Sequence, residues 1–197
     1  MASSLSPLQT DRLVLRASDP ALAEAVADHM RRNRVAHRPW SPPMPEVVFT
    51  DDGQRERLAA AAKAEAERTQ VGWFLTQRGD ESMTVIGHLR FSQISRGPFC
   101  NAMLGYAIDT AHEGRGLMRE ALVAALADVF SPRVALHRVQ ANTRPENTRS
   151  LALLERLGFE REGVAREYLF IDGAWRDHVL TALRAPGWRA DQEPPAT

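Results

Sequence analysis

The succession Met103-Leu104-Gly105-Tyr106-Ala107-Ile108, then His112-Glu113-Gly114-Arg115-Gly116, then a helical run from Leu117 constrains this chain most. The first six residues form an apolar run that reads as a strand. Leu117, Leu122, Ala125, Leu126 and Val129 recur at helical spacing and lay one apolar face on a core. A strand therefore ends, a glycine-rich turn follows, and a helix begins. The first turn of such a helix has amide N–H groups without internal partners, and its aligned peptide dipoles add positive potential. Gly114 and Gly116 carry no Cβ, so an anion can approach this backbone closely. A pyrophosphate is the natural occupant, although an ordinary tight loop has the same composition. The turn has neither the Gly-Lys-Ser/Thr ending of a nucleoside-triphosphate loop nor a G-x-G-x-x-G fingerprint.

Composition narrows the setting. The 197 residues suit one domain with a sizeable core. Lys+Arg and Asp+Glu balance at 25 each, so an anion site must be local, and no basic stripe invites nucleic acid. Cys100, the single cysteine, excludes an internal disulfide and a cysteine-based zinc site, and its apolar surroundings read as core. No leader or membrane-length apolar run is present, which predicts a soluble, cytoplasmic protein without membrane contact.

Along the chain, Thr10 to Arg16 alternates like a half-buried strand. Asp19-Pro20 opens a helix to about Arg32, with Asp19 as cap. Pro39, Pro42, Pro43 and Pro45 break up the segment around Trp40, a mobile wall over a site. Asp51 to Arg68 reads as an amphipathic helix. Val71–Gln77, Thr84–Ser95 and Cys100–Ile108 form an antiparallel meander. After the Leu117 helix come a strand at Leu136–Ala141 and a helix at Asn147–Leu157, stopped by Gly158. Glu167–Ile171 and Trp175–Leu183 flank the hairpin turn Asp172-Gly173. Residues 1–9 read as an N-terminal extension, 10–185 as the domain, and 186–197 as a frayed tail.

This order resembles the Gcn5-related N-acetyltransferases (GNAT). Thr10-Asp11-Arg12-Leu13, Gly105-Tyr106, Gly114 to Met118, Arg144-Pro145-Glu146-Asn147, Leu157-Gly158-Phe159 and Tyr168 through Leu180 are similar to its ribosomal-protein alanine N-acetyltransferases. The hairpin Asp172-Gly173-Ala174-Trp175-Arg176-Asp177-His178 is the most telling of these. The resemblance implies an α+β fold: one domain whose largely antiparallel sheet splays between two strands and is flanked by helices. It implies acetyl-CoA as co-substrate and no metal. The turn residues Glu113, Gly114, Arg115, Gly116, Leu117 and Met118 would hold the pyrophosphate. Tyr106, Ala107 and Ile108 would bind the pantetheine arm like an added strand, with Asn142 and Asn147 as further contacts. The family pattern has Gln or Arg where Glu113 stands, so Glu113 is expected to contribute its backbone.

The chemistry asks for a neutral amine, a donor for the oxyanion and a proton for the leaving thiolate. By resemblance, Ser150 is the leaving-group donor. The carboxylate that many relatives carry two residues before Gly-Tyr is Met103 here. Glu167 and Tyr168, entering the last hairpin, are the remaining catalytic candidates, while His88 and His178 read equally as packed histidines. The implied acceptor is a protein N-terminal α-amine, alanine of a ribosomal protein foremost, to a monomer or homodimer. A small amine, amino acid or peptide-like antibiotic is the alternative acceptor, and a non-catalytic acyl-CoA sensor is the competing class.

Overall fold

The computed structural model describes residues 6–189. Eight strands form one sheet in the order β1-β2-β3-β4-β5-β6-β8-β7. They are β1 (Leu8–Gln9), β2 (Leu13–Arg16), β3 (Val71–Gln77), β4 (Gly87–Ser95), β5 (Asn101–Ile108), β6 (Arg138–Thr143), β7 (Glu160–Ile171) and β8 (Ala174–Arg184). Four helices flank them: α1 (Ala23–His37), α2 (Asp51–Ala66), α3 (Leu117–Phe130) and α4 (Thr148–Arg156). Every neighbouring pair is antiparallel except β5 and β6, as the α+β expectation required.

The parallel contact is short. Asn101, Ala102 and Met103 face Arg138, Val139 and Gln140, and the pairing stops there. Gly105 to Ile108 continue along β4, with Gly87 opposite Ile108 and His88 opposite Ala107. Among the described residues, no strand lies beside their other edge. This is the splay expected from the resemblance, and it opens at the strand end that leads into the glycine turn.

Alternation along β4 and β5 divides the faces. Trp73, Leu89, Phe91 and Leu104 point into the main core, which α3 closes with Leu117, Leu122, Ala125 and Val129 and α4 with Leu154. On the opposite face α1 and α2 bury Leu22, Val26 and Leu58 against Val85 and Phe74. His88 lies directly across from Phe74 on this second face.

Several boundaries differ from the sequence reading. The first strand is only Leu13–Arg16, while Leu8 and Gln9 of the expected extension pair with Leu15 and Val14. Asp19 caps a 3-10 turn at Pro20–Leu22, its Oδ1 accepting from Ala21 N at 2.9 Å, and α1 then runs on to His37. The proline segment holds two 3-10 turns, Arg38–Trp40 and Glu46–Phe49. β7 begins at Glu160, seven residues earlier than expected, because this edge strand is exposed along most of its length and shows no apolar alternation. Of the expected tail, Trp188 packs on His137 with ring centres 4.9 Å apart, and residues 190–197 lie outside the described residues. Among the described residues, no helix is long and apolar enough to cross a membrane.

Candidate active site

The glycine turn adopts the conformation its residues allow. Gly114 and Gly116 have φ of 73° and 75°, the left-handed region where a Cβ is strained. Gly116 is the N-cap of α3, and no side chain caps that terminus. The first amides of α3 are therefore open to an anion. Leu117 and Met118 are buried in the core, so only their backbone can serve the turn.

Sequence reasoning missed what holds this turn. Arg12, just before β2, donates from Nη1 to the carbonyl of Arg115 at 3.0 Å and from Nε to Glu120 Oε2 at 2.6 Å. Glu120 Oε1 also accepts from Arg12 N at 2.9 Å and from Thr10 Oγ1 at 2.6 Å. Burial opposes the ionised Glu120, but the hydrogen bonds from Thr10 and Arg12 outweigh it and hold the carboxyl below its ordinary range. The β1–β2 turn is thus stapled to the first turn of α3. The signal was present in the Thr10-Asp11-Arg12-Leu13 segment, but its partner lies more than a hundred residues away. Beside the turn is a hollow of about 350 Å³ lined by Arg12, Arg78, Arg115, Asp11 and Gln77, a locally cationic place in a neutral chain.

Glu113 is paired. Its carboxylate bonds to Arg149 on the first turn of α4. The negative charge that departs from the family pattern is therefore offset in place, although so exposed a pair contributes little to stability.

At the splay, two hydroxyls meet. Tyr106 points from β5 toward α4, and its Oη lies 2.5 Å from Ser150 Oγ. Asn147 is the N-cap of α4, its Oδ1 accepting from Ser150 N at 3.1 Å. Burial pushes the Tyr106 phenol up to about 12, the Ser150 hydrogen bond opposing that shift only in part. Both hydroxyls are therefore protonated near neutral pH and form a short chain that can donate. The sequence reading gave Tyr106 a backbone role, whereas the structure adds its side chain to the Ser150 site. Ile108 carries its carbonyl to His37 Nε2 at 3.0 Å, which closes the far end of the strand.

Asn142, on the β6 lip of the splay, donates from Nδ2 to Tyr168 Oη at 2.9 Å. Its Oδ1 is buried without a partner among the described residues. A buried amide oxygen aimed at no protein donor suits a ligand carrying amide N–H groups. Together with the open helix terminus and two glycines whose Cβ positions are free of contact closer than 3.6 Å, the site fits a pantetheine pyrophosphate.

Glu167 and Tyr168 part company. Tyr168 joins Asn142 and stacks near His178, with ring centres 5.2 Å apart. Glu167 occupies an irregularity of the β7–β8 register with φ of 48°, its amide donating to Asp177 Oδ1 at 2.8 Å. Its exposed carboxylate makes no hydrogen bond among the described residues and is not brought to Ser150. Asp172 and Gly173 have φ of 49° and 78°, the two positive values that a type I′ hairpin turn needs. Arg38 fastens this turn through Nε to Asp172 Oδ1 at 2.8 Å, and Arg144 lies over the Trp40 ring at 5.4 Å. Another hollow, about 620 Å³, lies at the opposite end of β5 and β6 around Cys100, His137 and Trp188, away from every residue of this site. Among the described residues no cluster could hold a metal ion.

Comparison with known proteins agrees with this geometry. The family model described as "Acetyltransferase (GNAT) domain" matches residues 12–160. The chain is 41% identical over 182 residues to the [ribosomal protein uS5]-alanine N-acetyltransferase of Escherichia coli, 92% of each chain being covered. Among solved structures, a ribosomal-protein-S5-alanine acetyltransferase from Vibrio fischeri superposes with a TM-score of 0.88 at 30% identity, over 94% of this chain and 100% of that one. Mycobacterium smegmatis RimJ in complex with CoA-disulfide gives 0.82 at 28% identity, over 95% and 89%. With its splayed strand, open helix terminus and paired hydroxyls in the matched region, the chain belongs to the GNAT family of acetyl-CoA-dependent N-acetyltransferases.

Proposed function

We propose that this enzyme acetylates the N-terminal α-amine of a protein, alanine of a ribosomal protein foremost, by direct transfer within a ternary complex. The coenzyme supplies an activated acetyl thioester. The turn amides from Gly114 to Met118 bind its pyrophosphate, with Arg12 holding the turn in shape and Arg115 in the cationic hollow beside it. The open edge of Tyr106, Ala107 and Ile108 receives the pantetheine arm, and Asn142 Oδ1 accepts one of its amide N–H groups. Asn147 caps α4 and thereby orients Ser150. Ser150 donates the leaving-group proton, and Tyr106 resupplies its hydroxyl.

The observation that carries this reading is the 2.5 Å Tyr106–Ser150 contact at the splay, two protonated hydroxyls beside an open strand edge. A coenzyme sensor needs no such donor. The acceptor assignment rests on the relatives' activity and on an aromatic hairpin tip with Tyr168, Phe170 and Trp175 partly exposed, a wall suited to a peptide. Incubating the protein with acetyl-CoA and peptides starting with Ala, alongside free amino acids and small amines, tests it by mass spectrometry. A gain of one acetyl at the peptide N-terminus is expected; acetylation confined to free amino acids or small amines overturns the acceptor assignment.

A further inference from the structure

The face of β5 opposite Ser150 holds a chain of ionisable groups that the steps above do not use. Asp109, just past the end of β5, is buried, and its Oδ1 lies 2.7 Å from His29 Nδ1 on α1. His29 is fully buried, and its Nε2 lies 3.3 Å from Nδ1 of His88 on β4. Asn33 also donates to Asp109 Oδ1, and Arg32 donates to Asp109 Oδ2 at 3.0 Å. Burial alone would raise the Asp109 carboxyl, but these donors bring it down to about 2. Asp109 is therefore a carboxylate and only accepts. It accepts from His29 Nδ1–H; when that is the ring's one proton, His29 Nε2 accepts from His88 Nδ1–H, and His88 Nε2 is left as an acceptor. His88 is only partly buried, and its Nε2 makes no hydrogen bond among the described residues.

The position of His88 gives this acceptor something to do. His88 and Arg90 stand opposite Ala107 and Gly105 on the same face of the sheet. Gly105 is exposed, and nothing lies within 4 Å of where its Cβ would stand. The space over the coenzyme-binding strand is thus open on the His88 side, while Tyr106 and Ser150 occupy the other. The remaining charged groups facing the chain are His37 on α1, Arg57 on α2, Arg90 on β4, and His112 with its Nδ1 3.8 Å from Asp109. Among the described residues Asp109 is the carboxylate bonded to the chain, while Glu113 reaches only His37 at its edge.

We infer that His88 is the base that takes the proton from the acceptor ammonium, with His29 and Asp109 as positioning residues behind it. The inference rests on the acyl-transfer reading above. In balance, the N–H bond of the ammonium breaks, its electron pair stays on nitrogen for attack, and the proton bonds to His88 Nε2 in the same step in which the ring's Nδ1 proton leaves, so that His88, which burial holds neutral, never carries both. The Nδ1 proton of His88 passes to His29 Nε2. His29 then carries both ring protons as an imidazolium 2.7 Å from the Asp109 carboxylate, and His88 is again neutral. The charge ends beside its counter-ion and is not held in the groove. This assigns the role vacated by Met103, where many relatives carry a carboxylate.

The test is the pH dependence of kcat with an Ala-starting peptide at saturating concentrations. In the wild type kcat is expected to be level from about pH 7 to 9, because the ammonium loses its proton inside the complex although a free α-amine has a pKa of about 8. A wild-type kcat that climbs roughly tenfold per pH unit below that pKa overturns the relay. His88→Asn keeps an N–H toward His29 and removes the Nε2 acceptor. It should lower kcat at pH 7 by about tenfold, the shortage of free amine at that pH, leave acetyl-CoA affinity by calorimetry unchanged, and recover as the free amine accumulates above about pH 8. A deficit that is the same at every pH, or no deficit, also overturns the relay. If the wild type binds no acetyl-CoA, the acyl-transfer reading fails and takes this inference with it; wild-type transfer with an unimpaired His88→Asn defeats the relay alone.

Discussion

The two faces of β5 are built from different chemistry. Toward α4, Tyr106 and Ser150 offer neutral hydroxyls on a helix N-terminus. Toward α1, Ala107 and Gly105 leave open space that is bordered by His88 and backed by a buried carboxylate. Adjacent residues of one strand point to opposite faces, so a single extended segment presents a donor pair on one side and an acceptor chain on the other. The lesson is that strand geometry alone can separate proton delivery from proton removal.

Three experiments break or sharpen this contrast. The largest effect is expected from Gly116→Val, which serves neither face but the coenzyme common to both. At φ of 75° a β-branched residue strains the turn, and its side chain enters the anion cradle. Coenzyme affinity measured by calorimetry should fall by about 100-fold or more, roughly 2.7 kcal/mol or more of binding, while circular dichroism stays native. Retained affinity would mean the turn is not the cradle.

Next comes the donor face. Ser150→Ala should lower kcat by about 100-fold with little change in coenzyme affinity. Tyr106→Phe should give a smaller loss, and the double variant should be no worse than Ser150→Ala, since the hydroxyls act in series. Additive losses in steady-state kinetics would show two independent roles.

The smallest expected effect concerns stability and belongs to the opposite face. Burial, with His29, His37, Arg90 and Arg57 nearby, lowers His88 to about 3 from an ordinary 6.5. Between those values the unfolded chain binds the proton and the folded one does not, so stability falls as the solution is acidified from pH 6.5 toward 3. Asp109, lowered to about 2 from 3.8, adds a further loss only below pH 3.8. Urea midpoints of the wild type should decline through the first window, and His88→Val should flatten that decline while leaving the second. An unchanged slope in His88→Val would show that His88 is as easily protonated folded as unfolded.

The same contrast explains what could be read from the sequence. β3 was legible to the residue because Val71–Gln77 is apolar and bounded by polar turns. The turn and α3 were legible because glycines and a regular apolar face sit together in the chain. α1 was cut short at Arg32 because the positions it turns inward include His29 and Asn33, so its apolar period fades where it packs the polar chain. Ser150 and Asn147 stood out by motif. Their links could not: Tyr106 lies 44 residues from Ser150, and Asp109 lies 80 from His29, distances that only the folded sheet closes.

The seam between β5 and β6 has a mechanical consequence. Strands β1 to β5 and β6 to β8 are joined through the sheet by only three facing residue pairs. A molecule lying along the open edge of Tyr106 to Ile108 and reaching Asn142 supplies the rungs that the protein omits. The substrate then serves as a structural member: its arrival stiffens the joint between the two halves, and its departure loosens the floor on which the next acceptor must land.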